Sequence, residues 1–240
     1  MRHYTIYILM AIFAMASCQV EELPPHEGEC ALMLDLTRVG VEYTTTRGID
    51  NDLAIKIVDS IGNVYAQYSA GNIPPKIVLE PGKFTLHAFT ENQDSWAGEN
   101  DGRGGPCYYG TYQVQMEYDR VCYVNMQVPM TNYAVTLSLP ELFDVLFLSY
   151  TYSLKSGSRE ITIKEGEKAY FSPEDGGFTY QLSATNTDNT THHTSPLTYK
   201  KVEAGNLYNM TYYYDTEDNS GGLDIEITDN TEKEDITVPL

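Results

Sequence analysis

The chain has 240 residues, which suffices for one large β domain or for two smaller domains. Its 34 acidic residues against 15 Lys and Arg give a formal net charge of −19, and so acidic a surface repels polyphosphate and excludes nucleic-acid binding. The same charge disfavours docking on anionic lipid, so any membrane attachment needs another source, while a hydrophobic share of 42% is enough for a folded core.

The N-terminal sequence predicts that the protein is exported from the cytoplasm. Residues 1–18 read MRHYTIYILMAIFAMASC, a short basic start at Arg2 followed by an uncharged run that suits a secretory signal better than a membrane span. The small residues Ala16 and Ser17 directly before Cys18 resemble a bacterial lipobox, whose Cys is acylated and becomes the new N-terminus. We therefore predict a lipoprotein signal peptide at residues 1–17 and lipid attachment at Cys18. A conventional signal peptide with an incidental Cys is the alternative.

Residues 18–29 read as an acidic tether that contains Pro24 and Pro25. An acidic stretch just after the lipidated Cys resembles the surface-export signal of Bacteroidetes lipoproteins. This resemblance favours an outer-membrane protein that faces the medium. A periplasmic lipoprotein with a solvated spacer is the alternative.

The mature chain reads as strands from end to end. Apolar and polar residues alternate over short runs separated by Gly, Pro, Asn and Asp, and no long segment has the helical period. The run Val145–Leu154 carries apolar residues on both faces, which predicts a central strand covered on both sides. We predict an all-β fold of two tandem antiparallel β-sandwich domains, transthyretin-like or immunoglobulin-like, at residues 30–131 and 132–240, without a repeat of fixed period.

The longest internal segment without a strand pattern is Glu91–Pro106, and a loop of this length is usually functional or mobile. It contains the single Trp of the chain, Trp96, and the aromatic residues Tyr108, Tyr109 and Tyr112 follow it. Because aromatic faces stack on sugar rings, these four residues are candidate glycan contacts. Tyr rings that pack inside a sandwich are the alternative.

Three cysteines remain once Cys18 is acylated: Cys30, Cys107 and Cys122. Cys107 and Cys122 flank a predicted hairpin at Asp119-Arg120, which makes them a candidate disulfide in an oxidising envelope. Burial as small hydrophobic residues is the alternative.

No pattern in the chain nominates a chemical site. The adjacent His192 and His193 would point to opposite faces of a strand and so would not share a metal ion. No His stands in a motif that would activate a cysteine, and no spacing selects a carboxylate pair. We therefore predict no catalytic residues, no metal ligands and no cofactor.

The centre of the chain carries a family resemblance. Its elements are Leu79, Pro81-Gly82, Phe84–Ala88, Tyr109-Gly110, Asn132–Val135 and Phe143–Tyr150. Together they resemble Bacteroidales surface lipoproteins described as cell-adhesion or fimbrillin-like proteins, which are related to the type V pilins. The resemblance implies two transthyretin-like β-sandwiches and an adhesion or fimbria-associated role without catalysis.

In such pilins a protease cuts after an Arg and removes the first strand, and the groove accepts a strand of the next subunit. Arg47, within Thr44–Gly48, resembles such a processing site, with an ordinary loop Arg as the alternative. Relatives that keep the first strand act as anchors or tip subunits. The partners implied are a membrane through the lipid, fimbrial subunits by strand addition, and surface glycans or proteins; a glycan-binding lipoprotein is the second hypothesis and an envelope hydrolase the third.

Overall fold

A computed structural model describes residues 29–40, 52–214, 223–229 and 233–238 of the chain. In these ranges the all-β prediction is confirmed, and the α-helix described, α1 (Phe143–Leu146), has four residues. The strands are β1 (Cys30–Val39), β2 (Ala54–Asp59), β3 (Val64–Tyr68), β4 (Ile77–Leu79), β5 (Gly82–Phe89), β6 (Tyr109–Met116), β7 (Val121–Pro129), β8 (Tyr133–Ser138), β9 (Phe147–Ser156), β10 (Arg159–Ile163), β11 (Lys168–Phe171), β12 (Phe178–Asn186), β13 (Thr191–His193), β14 (Leu197–Tyr199), β15 (Leu207–Tyr214), β16 (Leu223–Thr228) and β17 (Lys233–Val238).

The N-terminal part of the chain forms two sheets that share one core. The first has the strand order β4-β1-β7, in which β1 is antiparallel to β4 and parallel to β7. The second has the order β3-β2-β5-β6 with antiparallel neighbours throughout. The predicted hairpin at Asp119-Arg120 is instead a crossing between sheets, since β6 and β7 belong to different ones. Asp119 takes the left-handed conformation in this turn (φ 55°), which Asp tolerates better than most residues.

The C-terminal part also forms two sheets. One has the order β11-β8-β15-β16-β17, with β8 antiparallel to β11 and parallel to β15. The other has the order β10-β9-β12-β13, and β14 pairs with the opposite end of β12 from β13. All neighbours in this second sheet are antiparallel.

The two parts repeat one topology that the sequence analysis missed. Strands β1, β4 and β7 correspond to β8, β11 and β15, including the antiparallel and the parallel pairing. The corresponding strands start at 30 and 133, at 77 and 168, and at 121 and 207, so the offsets are 103, 91 and 86 residues. Because the offset changes along the chain, no fixed period was visible in the sequence.

Two hydrophobic cores follow from this arrangement. The first is rich in aliphatic residues of β1, β2, β5 and β7, and the second is rich in Tyr and Phe, with Tyr133, Phe178 and Tyr208 in mutual ring contact. The cores meet where Met130 packs in the first and Tyr133 in the second. The two-domain division at residues 131 and 132 stays a prediction.

Candidate functional site

The parallel pair of β1 and β7 is the feature that bears most directly on assembly. Alternation along β1 buries Leu32, Leu34 and Leu36 in the first core. On β7 the inward residues Val124, Met126 and Val128 are buried, and the residues between them are exposed. The two strands stay in register along nine consecutive pairs, from Ala31 opposite Val121 to Val39 opposite Pro129. The first described strand is therefore held within its own chain.

The strand β7 ends its sheet among the described residues. In the C-terminal part, the corresponding strand β15 is followed outward by β16 and β17. No described strand takes that place beside β7, so its outer backbone edge is unpaired by any described strand. A sheet edge of this kind is a template for another strand.

The loop around Trp96 joins the two parts of the chain. Arg159, at the start of β10, donates from Nη2 to the carbonyl oxygens of Gly102 (2.7 Å) and Ala97 (3.1 Å), and from Nη1 to that of Tyr170 (2.6 Å). Its guanidinium lies 5.1 Å from the centre of the Trp96 ring, at cation–π distance. Burial lowers the pKa of Arg159, which stays charged because its ordinary value is so high.

Further contacts close this junction. The backbone amide of Tyr170 donates to the carbonyl oxygen of Arg103 (2.7 Å), and Arg103 pairs with Glu167 at 2.6 Å. The Tyr170 ring lies in the first core although its strand β11 belongs to the C-terminal part. Gly104 has a φ of +86°, and a Cβ there would lie 3.2 Å from the Cβ of Tyr170 and 3.3 Å from the Trp96 ring. The loop Glu91–Pro106, which the sequence marked as functional or mobile, is thus structured and holds the two parts of the chain together. This loop is here called the clamp.

The four candidate glycan contacts do not form one surface. Trp96 is half-buried in the clamp, and Tyr108 is fully buried at 0% exposure, so its ring is closed to a sugar. Tyr109 and Tyr112 are exposed, but they are three positions apart on β6 and therefore point to opposite faces of the sheet. The Tyr109 hydroxyl instead forms a hydrogen bond of 2.8 Å with His87 Nδ1.

The candidate disulfide between Cys107 and Cys122 is wrong: both are free thiols, as is Cys30. Tyr108 bridges to Met130 at one end of β7, whereas Cys122 lies near the other end. Cys122 and Met130 are eight positions apart along the extended chain, a distance of about 26 Å, whereas a disulfide needs Cα atoms within about 7 Å. Burial raises the pKa of the Cys30 and Cys122 thiols, which makes them poor nucleophiles.

The free thiols give a direct prediction. After alkylation in denaturant without reductant, we expect peptide mapping to find Cys30, Cys107 and Cys122 fully alkylated. The reduced sample serves as the control and should give the same map. A peptide pair joined through Cys107 and Cys122 in the unreduced sample would contradict the structure.

Two predicted sites, Cys18 and Arg47, lie outside the described residues. Within the described ranges there is no group of three or more His, Cys, Asp or Glu side chains placed to hold a metal ion. His192 and His193 lie on β13, where Ser183 contacts His193 Nδ1 at 2.7 Å. The part of the chain that the structure describes contains no helix long and apolar enough to cross a membrane.

Comparisons with known proteins agree with this fold. A family model described as "Domain of unknown function (DUF4493)" matches residues 28–240. No curated protein matches the chain. A fimbrial assembly protein from Parabacteroides distasonis ATCC 8503 is similar at a TM-score of 0.51 and 10% identity, over 88% of this chain and 98% of the other.

Two further solved structures are similar at lower scores. One is a candidate cell adhesion protein from Bacteroides uniformis ATCC 8492, with 14% identity, a TM-score of 0.49, and coverage of 87% of this chain and 99% of the other. The other is the fimbrial anchor protein Mfa2 from Porphyromonas gingivalis, with 11% identity, a TM-score of 0.41, and coverage of 85% and 98%. The similarity to the fimbrial assembly protein confirms the resemblance to the Bacteroidales proteins at the level of the fold.

Proposed function

Since the chain belongs to the DUF4493 family, with a match over residues 28–240, we propose that it is a lipid-anchored surface protein with an adhesion or fimbria-associated role and without catalysis. Acylated Cys18 would hold it to the outer membrane, at the start of the tether formed by residues 18–29. The fold shared with a fimbrial assembly protein supports this role. The absence of a motif for catalysis in the sequence is consistent with binding as its only task.

One observation carries the proposal: β1 is paired with β7 along nine residues and buries three leucines in its own core. A stalk subunit of the pilin type would lose this strand to make room for a neighbour. A subunit that keeps it retains a covalent path from the folded body back to Cys18. We propose an anchor or an end subunit, which would keep this arrangement because Arg47 is not processed.

Contact with fimbrial partners is proposed to use the outer edge of β7. Backbone hydrogen bonds along this edge would hold an added strand, as they do wherever an extended segment joins a sheet. Strands β16 and β17 occupy the corresponding place in the C-terminal part, which supports the edge as a position where the fold accepts more strands. We further propose the division into domains at residues 30–131 and 132–240, which the two cores support.

The anchor is tested by fractionating cells that carry Cys18→Ser. We expect the wild-type protein in the membrane fraction and the variant in the soluble fraction, because no acyl chain attaches to a hydroxyl. Cys122→Ser makes the same chemical change on the half-buried start of β7 and should stay with the membranes. Mass spectrometry should give a mature N-terminus at residue 18. Retention of Cys18→Ser by membranes, or an N-terminus at Gly48, would overturn the proposal.

A further inference from the structure

A short segment of the C-terminal part exposes an unusual amount of hydrophobic surface. Leu142, Val145, Leu146 and Leu148 are 66%, 61%, 48% and 61% exposed. They include all three of the exposed leucines found among the described residues. These four residues, here called the leucine patch, lie within seven positions of one another. Single exposed apolar residues are common, whereas a contiguous patch marks an interaction site.

For Val145, Leu146 and Leu148 the sequence predicted a strand covered on both faces. The strand expected at Val145–Leu154 begins only at Phe147, because residues 143–146 form the helix α1. Phe143 is buried and stacks on Phe147, with ring centres 4.5 Å apart, and it meets Tyr150 edge to face at 5.7 Å. Packing of Phe143 therefore fixes the helix and turns its other apolar side chains outward.

The backbone supports this display. Leu142 has a φ of +66°, in the left-handed region that a branched side chain seldom occupies. Its carbonyl oxygen accepts from the amides of Val145 (3.0 Å) and Leu146 (3.2 Å), which holds the turn in place. The exposed leucines are thus presented on a structured turn, and the backbone of Leu142 is strained.

A groove of about 720 Å³ lies beside the patch, between α1 and the turn that follows β10. Its floor includes Phe147 and Tyr150, and its wall is formed by Lys164 and Glu165. The wall is fixed because Glu165 accepts from the amide of Leu139 at 3.0 Å and its own amide donates to the Tyr150 hydroxyl at 2.8 Å.

The rim of the patch is acidic. Glu141, Asp144 and Glu165 line the groove with Lys164 as the one basic residue of its lining. Such a rim repels anionic lipid headgroups and favours a partner that carries Lys or Arg. A second copy of this chain is disfavoured, because its surface carries a net charge of −19.

The leucine patch lies far from Cys30, where the first described strand begins. Strand β9 runs from the patch at Phe147 to Ser156, which pairs with Arg159 beside the clamp, so the patch lies at the end of the C-terminal part remote from the junction. Cys30, where β1 begins, lies at the opposite end of the N-terminal part, since β1 reaches the junction at Val39. Each of these strands is about 33 Å long.

We propose that the leucine patch and its groove dock a segment of another protein that carries apolar side chains flanked by Lys or Arg. The apolar side chains would cover Leu142, Leu146 and Leu148, and the basic groups would face Glu141 and Asp144. This docking needs no lipid anchor. Only its direction, away from the membrane, rests on the proposed function.

The test uses purified protein and two soluble ten-residue peptides, one of alternating Leu and Lys and one of alternating Leu and Glu. We expect the Leu–Lys peptide to bind the wild type by fluorescence polarisation, and the Leu–Glu peptide to bind at least about tenfold more weakly. The double change Leu146→Ser and Leu148→Ser should weaken Leu–Lys binding by about tenfold or more, since it removes the apolar contact. The matched control is Ile61→Ser with Val64→Ser, which removes two side chains that are 82% and 56% exposed on the other part of the chain.

Each outcome decides the proposal. Both double variants should keep the wild-type melting temperature, because all four side chains are exposed, and the control should bind like the wild type. Glu141→Gln with Asp144→Asn should weaken binding and reduce its dependence on salt. Equal binding to the patch variant and the wild type would overturn the proposal, as would preference for the Leu–Glu peptide. Dimerisation of the wild type in sedimentation velocity that the patch variant lacks would assign the patch to a second copy instead. None of these results depends on Cys18, so failure here is distinguishable from failure of the anchor.

Discussion

Replacing Arg159 with Ala is expected to lower the free energy of unfolding by about 3 kcal/mol. The change removes hydrogen bonds from a charged donor to the carbonyl oxygens of Ala97, Gly102 and Tyr170, all in or against the junction. It also removes the cation that lies 5.1 Å from the centre of the Trp96 ring and 5.2 Å from that of Phe171. Carbonyl oxygens that lose their donor in a partly buried place are costly, because water replaces the guanidinium only in part. Urea unfolding followed by circular dichroism measures the loss.

The chain provides its own local reporter for this experiment. Trp96 is the single Trp, so its fluorescence reports the clamp alone, and we expect a red-shifted emission in Arg159→Ala as the loop admits water. Arg159→Lys should be intermediate, since Lys keeps the charge but cannot reach several carbonyl oxygens with one planar fork. The control is Arg120→Ala: this side chain is 74% exposed and pairs only at the surface with Glu117, so its loss should cost at most about 0.5 kcal/mol. An unchanged midpoint and emission in Arg159→Ala would show that the loop is held by other contacts.

This clamp also shows where sequence analysis stops. The loop from Glu91 to Pro106 has no hydrophobic period, so its residues carry no signal for a strand or helix. Its partner Arg159 lies 57 residues beyond Gly102, and no pattern in one sequence connects them. Gly104 was a signal in retrospect, because the tight run of glycines around Arg103 permits the close approach of Tyr170. A lone Trp beside glycines reads equally well as an exposed binding residue or as a packed one.

The strands could be predicted because their signal, unlike that of the clamp, lies in residues that are close together in sequence. On β7 the buried Val124, Met126 and Val128 alternate with exposed residues, and on β1 Leu34 and Leu36 lie on either side of Asp35. This alternation depends only on neighbours in sequence. What alternation leaves open is which strands pair. It could not reveal that β1 lies parallel to β7, nor that Asp119-Arg120 passes from one sheet to another. The error at Val145–Leu154 is of the same kind, because burial of Phe143 decided the local backbone there.

The strand that carries the proposed function can be tested by placing a charge on its buried face. Leu36 is 0% exposed in the first core, so Leu36→Asp is expected to cost at least about 4 kcal/mol and to unfold the N-terminal part at moderate urea concentrations. Thr37→Asp is the matched control, since it adds the same charge one residue along β1 on the outer face. That variant should lose at most about 1 kcal/mol. Equal losses for the two variants would mean that the inward face of β1 is not the part that holds it.

The same variant distinguishes a retained strand from a replaceable one. A synthetic peptide with the wild-type sequence of residues 30–39 is added to the Leu36→Asp variant. It competes with the altered β1 for the position beside β7. At 100 times its dissociation constant a ligand of the folded state restores about 2.7 kcal/mol, so the midpoint of unfolding should rise with peptide concentration. The wild type should not respond to the peptide, because its own β1 is covalently attached and therefore present at a far higher effective concentration. A wild-type protein that also gained stability, or exchanged its strand for a labelled peptide, would instead behave as a subunit whose first strand is made to be replaced, and the anchor role would be lost.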